Sequence, residues 1–441
     1  MDISCLAQIE SCANELARAA KSLADYFQTT PAPGPDAEPS KGLPLVAPDG
    51  PSQAHRARRS ILASVAKLQN LIAEPGHFVE RLASQNQLLA CLHWLNEFQV
   101  LACIPLQGSV LGKDVAELTG VPEAVLIRVV RMTSTAGFLC EPRPRHVAHT
   151  TLSAGFVTKP SLGDAAMFLS GTAARAALHL AGATQRYGEV DMERPDQTAF
   201  ALTERAQQSF RQACEERPKL QRQWAAYLRS SMGVDEAMAE VLSRLDWERH
   251  KSVCIVEGVF QGTQCHHPAR VSAISHGSIA AVGLPTFPDS VATVTVRGNF
   301  DFSKCTATGQ PQTVRDAGVY VLNLGSPSTS PAESLASVTS RVAAELLVHL
   351  PILRDNRGAT LVVAMRLLPD PSSVDVGVEA AARTRDLVLL QLANERDLEV
   401  SELVDLIQGI RDWSGRLAVV SRARGRDNAV MALGVKFLAT G

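Results

Sequence analysis

The stretch "LGKDVAELTGVPEAVLIRVVRMTSTAGFLCEP", residues 111–142, predicts two helices joined by a tight turn and followed by a strand. Two helices that cross closely need a small residue in the first helix and a glycine in the turn. Ala116 and Gly120 meet this need at a spacing of four, and Pro122 suits the first turn of the second helix. The predicted helix-turn-helix motif comprises Gly112, Lys113, Ala116, Gly120, Pro122, Leu126, Arg128, Val129 and Arg131.

The second helix of this motif has an unusual start for a helix that reads DNA. Leu126 and Val129 are expected to form its inward face. Its exposed start would be "PEA", residues 122–124, where a base-reading helix usually offers Arg, Asn, Gln or Ser. Glu123 would also face the phosphates with the wrong sign of charge.

The segment "FLCEPRPRHVAH", residues 138–149, predicts two short strands joined by a basic turn, which together form a wing. Its cations could hold a phosphate backbone without reading sequence. Two interpretations stay open: modest phosphate contacts, or a winged helix that packs against protein. The candidate phosphate contacts are Arg128, Arg131, Arg143, Arg145 and His146.

Composition predicts two or three globular domains and no global attraction to nucleic acid. The chain has 441 residues, 46% hydrophobic and 20% charged residues, and a formal net charge of −2. Its nine cysteines stand singly, which is typical of free thiols in a reducing compartment. We find no apolar run of membrane-spanning length and no signal peptide, so we expect an intracellular protein without a membrane partner.

Periodicity divides the chain into five segments. An apolar seam from Leu6 to Phe27 predicts a helix that packs on another helix, in its own domain or in a dimer. Beyond residue 250, β-rich runs alternate with helical ones and end in a hairpin, which predicts a doubly wound sheet. The predicted segments are an N-terminal amphipathic helix (1–28), a proline-rich linker (29–60), a helical dimerisation and winged-helix domain (61–160), a helical connector (161–249) and an α/β domain (250–441).

This order of elements resembles the O-methyltransferases that act on plant and fungal phenolics. The likeness implies a mixed α and α/β fold in which the winged-helix region precedes a methyltransferase-like Rossmann domain. "LANERDLEVSELVDLIQ", residues 392–408, resembles the late segment of that family, with Glu395 and Arg396 as its Glu-Arg pair.

The residues that methyl transfer needs do not match. The turn that should approach S-adenosylmethionine is "VEGVFQGT", residues 256–263, in which Val259 and Phe260 would fill the ligand space. The stretch that carries the catalytic histidine in that family is here "YVLNLGSPSTSP", residues 320–331, which has no proton acceptor. We therefore expect a pseudoenzyme with no catalytic residue, no bound cofactor and no metal.

The stretch "NQLLACLHWLNEFQVLACIPL", residues 86–106, and the helix-turn-helix motif resemble more closely the transcriptional co-activators of fungal polyketide clusters, of the aflatoxin and sterigmatocystin type. That resemblance implies a nuclear regulator, with the cytoplasm as a second location. It also implies a protein that binds a pathway-specific Zn2Cys6 transcription factor, reaches promoter DNA indirectly and forms a homodimer. The basic run "HRARRS", residues 55–60, is a candidate import signal or simply a solvated helix start. An active O-methyltransferase and an autonomous DNA-binding regulator remain the alternatives.

One cluster has metal-ligand residue types. "QCHHP" contains Cys265, His266 and His267, but adjacent side chains diverge and no second cluster at zinc spacing completes a site. The four tryptophans are expected to pack inside helical regions.

Overall fold

The computed structural model forms two compact units. The first contains Met1–Arg175 with Arg222–Ser230, and the second contains Ala176–Gln221 with Ser231–Gly441. The connector predicted over 161–249 is therefore divided between the two units. The described residues are 3–29, 46, 51–188, 194, 196–204, 208–232, 241, 253–255, 278–281, 299–301, 315, 318–324, 337–425 and 430–439.

The chain begins with an antiparallel helical hairpin of α1 (Ile3–Thr29) and α2 (Ser52–Leu71). Two side-chain hydrogen bonds set its register: Ser60 Oγ donates to Glu15 Oε1 at 2.9 Å, and Gln53 Nε2 donates to Ser22 Oγ at 3.3 Å. Because α2 begins at Ser52, the linker predicted to end at residue 60 ends at Pro51 instead.

Small residues bring the two helices of the hairpin together. Cys12, Ala19 and Leu23 of α1 are buried, and so are Ala54 and Ala57 of α2. The predicted seam of α1 was therefore only partly right. Leu6 and Phe27, at the two ends of the predicted seam, are 48% and 44% exposed, because the face that packs on α2 is offset from the seam by about one residue.

Helix α2 ends at Leu71, and α3 (Pro75–Glu97) begins with a proline, which suits the first turn of a helix. The apolar run at 86–104 is only partly buried: Cys91, Leu95 and Val100 are buried, whereas Phe98 and several residues before Cys91 are exposed. A short 3-10 helix (Val100–Cys103) then leads to β1 (Val110–Leu111).

A series of short helices follows the predicted wing along the chain. In the first unit Trp224 is buried against Phe168 and Tyr227, and Arg222 pairs with Asp164 at 2.9 Å. The helices are α6 (Thr151–Thr158), α7 (Pro160–Phe168), α8 (Ala174–Leu178), α9 (Leu180–Tyr187), α10 (Ala199–Thr203), α11 (Phe210–Glu216) and α12 (Pro218–Met232), with a π-helical turn at Leu169–Ala173.

The second unit contains the predicted α/β sheet. One three-stranded sheet has the order β4-β5-β6, and its strands are parallel. A five-stranded sheet has the order β7-β8-β11-β10-β9, in which β7 and β8 are parallel and β10 and β11 form an antiparallel hairpin. This confirms the predicted sheet and its terminal hairpin. The strands are β4 (Val253–Ile255), β5 (Ser278–Ala281), β6 (Asn299–Asp301), β7 (Val319–Asn323), β8 (Thr360–Arg366), β9 (Arg411–Asp412), β10 (Gly415–Arg424) and β11 (Val430–Ala439).

Helices α13 (Val338–Asp355) and α15 (Val400–Gly409) pack on one core with β7, β8, β10 and β11. Helix α14 (Val376–Ala393) contacts α10 and α11. Among the described residues, no helix is both long enough and apolar enough to cross a bilayer.

Candidate functional site

The residues of the predicted helix-turn-helix form α4 (Gly112–Thr119) and α5 (Glu123–Ser134), and those of the predicted wing form β2 (Leu139–Arg143) and β3 (His146–His149). With β1 they form the α4–β3 unit, residues 110–149, whose sheet order is β1-β3-β2. Gly120 ends α4 in the left-handed region at φ 68°, which favours glycine, and its N–H donates to the carbonyl of Ala116. A side chain at Gly112 would meet Ile127 Cδ1 at 2.7 Å, so this glycine permits the close crossing.

The inward face of α5 differs in part from the prediction. Leu126 is fully buried as expected, but Val129 is only half-buried. Ile127 and Val130 are buried, and therefore supply the rest of the face. Pro122 is the N-cap of α5 and precedes its first turn.

Glu141 of β2 neutralises one predicted phosphate contact and fixes the wing. Its carboxylate accepts from Arg131 Nε at 2.7 Å, from Arg131 Nη2 at 3.0 Å and from the backbone N–H of Arg145 at 2.7 Å. The hydrogen bond from Arg131 is the main reason that the pKa of Glu141 is lowered to about 2. Arg145 has a φ of 63°, which is uncommon for arginine, and Glu141 helps to hold that conformation.

Glu123 neutralises a second predicted contact. Arg145 Nε lies 3.1 Å from Glu123 Oε1, so the wing is joined to the first turn of α5. The carboxylate also lies at the positive end of the helix dipole, where an anion is stabilised. The place at which a recognition helix would approach phosphates therefore already carries a protein carboxylate.

The remaining cations of the α4–β3 unit are few. Lys113 pairs with Glu117 at 3.7 Å, and His146 Nδ1 lies 3.1 Å from the carbonyl of Pro144. Arg128 and Arg143 are exposed and form no ion pair with the described residues. The unit thus offers two unpaired arginines, which is a small electrostatic footprint beside the six to ten phosphate contacts of strong DNA binders.

The N-terminal hairpin has an apolar row on one side. The exposed residues Leu6 and Ala13 of α1 are seven apart, and Leu62, Val65 and Ile72 lie along α2 and its C-cap. Helical periodicity puts the residues of α1 and those of α2 on the same side of the hairpin. The two side-chain hydrogen bonds that set the register lie on the opposite side. Leu6 is 48% exposed, Leu62 55% and Ile72 61%. We call Leu6, Ala13, Leu62, Val65 and Ile72 the hairpin row.

The α/β unit contains a buried carboxyl that sequence reasoning noted without a role. Burial raises the pKa of Glu395 to about 7, and the charge of Arg341 opposes that shift. Its neighbour Arg396 pairs with Glu402 at 2.6 Å, and buried Arg385 donates to Asp397 Oδ2 at 2.6 Å. Glu395 can therefore exchange a proton near neutral pH.

Several predictions fall outside the described residues. These include the turn at 256–263 with Val259 and Phe260, all but the first five residues of 320–331, the QCHHP cluster and Trp247. Within the described part of the chain, no group of three or more His, Cys, Asp or Glu could hold a metal ion.

Sequence reasoning missed the ion pairs made by Glu141 and Glu123. Glu141 lies four residues before Arg145 across a two-residue hairpin turn, a spacing that points to its hydrogen bond from the Arg145 backbone N–H but not to either ion pair. It also assigned Trp413 to packing in a helix, whereas Trp413 lies in the β9–β10 turn and is 88% exposed. That assignment was wrong because β9, the strand before it, has only two residues and shows no visible alternation.

Comparison with known proteins identifies a matching family model and relatives that are similar over almost their full length. Residues 6–73 match the family model of the trypacidin cluster transcriptional coactivator tpcD N-terminal domain, and these residues contain the helical hairpin. The monodictyphenone cluster transcriptional coactivator mdpA of Emericella nidulans is 40% identical over 99% of both chains. The trypacidin cluster transcriptional coactivator tpcD of Aspergillus fumigatus is 41% identical, over 99% of this chain and 97% of its own.

Solved structures show the fold. The mitomycin 7-O-methyltransferase MmcR superposes with a TM-score of 0.53 at 16% identity, covering 82% of this chain and 98% of its own. An identity this low supports a shared methyltransferase-like fold and no shared activity. Given the full-length similarity to mdpA and tpcD, the chain belongs to the family of transcriptional coactivators of fungal secondary-metabolite gene clusters, built on a methyltransferase-like fold.

Proposed function

We propose that this protein activates a polyketide or related secondary-metabolite cluster in the nucleus by binding a pathway-specific Zn2Cys6 transcription factor. In this proposal the factor reads the promoter, and the chain touches DNA indirectly and transfers no methyl group. The observation that carries the proposal is the pairing of Arg131 with Glu141 and of Arg145 with Glu123, within a family whose members are named coactivators. A unit in which two of the four arginines are already paired with carboxylates is better suited to protein than to phosphate.

The hairpin row is the surface that we assign to the factor. The interface between α1 and α2 is thin, because alanine, cysteine and serine make up most of its buried residues. Two helices that bury so little apolar area between them gain little stability from their contact. An amphipathic helix of the factor, laid along Leu6, Leu62 and Val65, would complete a three-helix layer and add apolar burial.

Capture of the factor by the purified full-length chain tests this assignment. Leu62→Ser with Val65→Ser removes apolar contacts from side chains that are 55% and 39% exposed, so folding should be retained. We expect capture to fall at least about tenfold, because central apolar residues dominate protein interfaces. The matched control is Leu118→Ser on α4, which is 71% exposed and lies outside the row. Equal capture by all three proteins would contradict the assignment.

A homodimer is part of the proposal. The first turns of α3 expose Phe78, Val79 and Leu82, which are 47%, 63% and 49% exposed. They adjoin a groove of about 210 Å³ lined by Gln69, Ile72, Ala73, His77, Phe78 and Arg81. Light scattering of the purified chain should give twice its mass, and Val79→Asp should give the monomer. A monomeric wild type would remove the dimer from the proposal.

One observation favours an active methyltransferase as the second candidate. Glu395 is buried with a pKa of about 7, so it could accept the proton of a phenol in a fold shared with O-methyltransferases. Calorimetric titration with S-adenosylmethionine distinguishes the two. Binding at micromolar strength would favour the enzyme.

A third candidate, an autonomous DNA-binding regulator, relies on Arg128 and Arg143. Reversing both charges should leave DNA retention of the purified protein unchanged. A footprint of the wild type alone, lost in the double variant, would favour direct DNA binding.

A further inference from the structure

The β9–β10 turn presents a tryptophan to solvent. Trp413 is 88% exposed, the largest exposed fraction among the large apolar side chains of the described residues. Burial of a tryptophan usually removes about 150–250 Å² from water, so this residue forgoes a large stabilisation. Tryptophan is also the residue type most enriched among the side chains that dominate protein–protein affinity.

The turn that carries Trp413 is held by a dense set of contacts. Asp412 Oδ1 accepts from Ser414 N at 2.8 Å, from Ser414 Oγ at 2.7 Å and from Gly415 N at 3.1 Å. Asp412 Oδ2 accepts from Arg354 Nη1 of α13 at 3.1 Å. The hydrogen bond from the Ser414 hydroxyl is the first reason that the pKa of Asp412 lies below its usual value. The backbone at Trp413 is therefore ordered before any partner arrives, which lowers the entropic cost of binding.

Gly415 allows the turn to pack closely against β11. A Cβ at this position would lie 2.6 Å from Phe437 Cζ and would clash with the carbonyl oxygen of Leu438. The close approach of the two strands thus fixes the direction in which the turn leaves the sheet.

The tryptophan adjoins an open sheet edge. Strand β9 pairs with β10 through Gly415 and Arg416, and the N–H of Leu417 donates to the carbonyl of Ile410 at 3.0 Å. Beyond Leu417, no described strand pairs with the outer edge of β10. An edge of this kind can accept another strand through backbone hydrogen bonds.

This edge is cationic. Arg411, Arg416 and Arg422 are exposed, and none of them forms an ion pair among the residues that the structure describes. The nearby carboxylate of Asp412 is already engaged by Ser414, Gly415 and Arg354. The charge that remains unsatisfied along the edge is therefore positive.

Protection against aggregation explains part of this arrangement. Exposed arginines and the irregularity between Val419 and Ser421 are common ways to blunt an edge strand. Protection against aggregation does not account for the exposed Trp413, because an exposed tryptophan at a sheet edge favours association with another chain.

We propose that the outer edge of β10 binds an extended acidic segment of a partner protein, which adds as a strand, faces carboxylates to Arg416 on one face of the sheet and to Arg422 on the other, and packs an apolar side chain on Trp413. Acidic segments with interspersed apolar residues are typical of transcriptional activation domains. This binding surface lies in the second unit, and it does not depend on the hairpin row.

The test uses the full-length chain and three synthetic probes. The first is a fluorescent twelve-residue peptide that repeats Glu-Glu-Val, so that glutamates lie on both faces of the strand. The second replaces glutamate with lysine, and the third is the first with alternate backbone amides N-methylated. We expect the acidic peptide to bind, the lysine peptide not to bind, and the methylated peptide to bind at least about tenfold more weakly because it cannot pair along the edge. Equal binding of the acidic and methylated peptides would overturn strand addition.

Variants localise the binding. Trp413→Ala should weaken the acidic peptide by about tenfold. Arg422→Glu should weaken it and flatten its salt dependence. The matched control is Leu178→Ala, whose side chain is 84% exposed and lies outside this edge.

If all variants bind like the wild type, or if Trp413→Ala instead turns a dimer into a monomer, the proposal is overturned. Loss of peptide binding with intact capture of the Zn2Cys6 factor would separate this surface from the hairpin row, whose own variants are at Leu62 and Val65.

Discussion

Replacing Glu141 with alanine should loosen the wing without unfolding the α4–β3 unit. Glu141 accepts two hydrogen bonds from Arg131 and one from the backbone N–H of Arg145, and all three disappear in Glu141→Ala. The Arg131 side chain is 60% exposed, so solvent screens that pair and its loss should cost little. The bond to the Arg145 amide is charge-assisted and holds a positive-φ residue, so it should contribute about 1–1.5 kcal/mol.

That free energy corresponds to about a tenfold faster exchange of the Arg145 amide hydrogen when the wing opens locally. Hydrogen-exchange mass spectrometry over residues 139–149 at pH 7 measures it. Because the pKa of Glu141 is lowered from 4.5 to about 2, its stabilisation is present above pH 4.5 and is lost as the pH falls towards 2. The exchange difference between wild type and variant should therefore shrink below pH 4.5.

The matched control is Glu117→Ala. It breaks a pair with Lys113 at 3.7 Å in which both side chains are about 70% exposed, and it should leave exchange over 139–149 unchanged. If Glu141→Ala exchanged no faster than Glu117→Ala, the assigned role of Glu141 would be refuted.

Three further outcomes follow from the same contacts. Glu395→Gln should raise the free energy of unfolding by up to about 3 kcal/mol at pH 8 and change it little at pH 4. The reason is that a carboxyl whose pKa is raised from 4.5 to about 7 destabilises the fold as the pH rises through that range. Equal denaturant midpoints of wild type and variant at pH 8 would contradict this. Glu123→Gln with Glu141→Gln releases Arg131 and Arg145, so the salt dependence of nonspecific DNA retention should steepen by about two in log–log slope; an unchanged slope would mean that the two ion pairs do not limit DNA contact. Millimolar S-adenosylmethionine should give neither heat nor a higher melting temperature, whereas a saturable titration would return the enzyme to first place.

Local patterns were sufficient for the elements that depend on neighbouring residues. The helix-turn-helix followed from Ala116 and Gly120, because one small residue and one left-handed glycine set the crossing. The terminal hairpin followed from two apolar strands around "RGRDN". Both features are specified within about thirty residues.

Contacts between distant residues could not be derived in the same way. The buried face of α1 differs from the predicted seam. Apolar periodicity points to large residues such as Leu6 and Phe27, whereas the close approach to α2 is made by the small residues Cys12 and Ala19. The pairing of Arg131 with Glu141 depends on how the wing returns to α5, which no spacing in the sequence states.

Promoter binding by the pathway's Zn2Cys6 factor, measured by fluorescence anisotropy with and without this chain, separates a coactivator from the alternatives. With wild-type chain present, the factor should hold its promoter at least about tenfold more tightly, while the chain alone should give no specific signal. The variant with Leu62→Ser and Val65→Ser should give no such gain. An identical promoter affinity with and without the wild-type chain, at concentrations that saturate any complex, would contradict the proposed function.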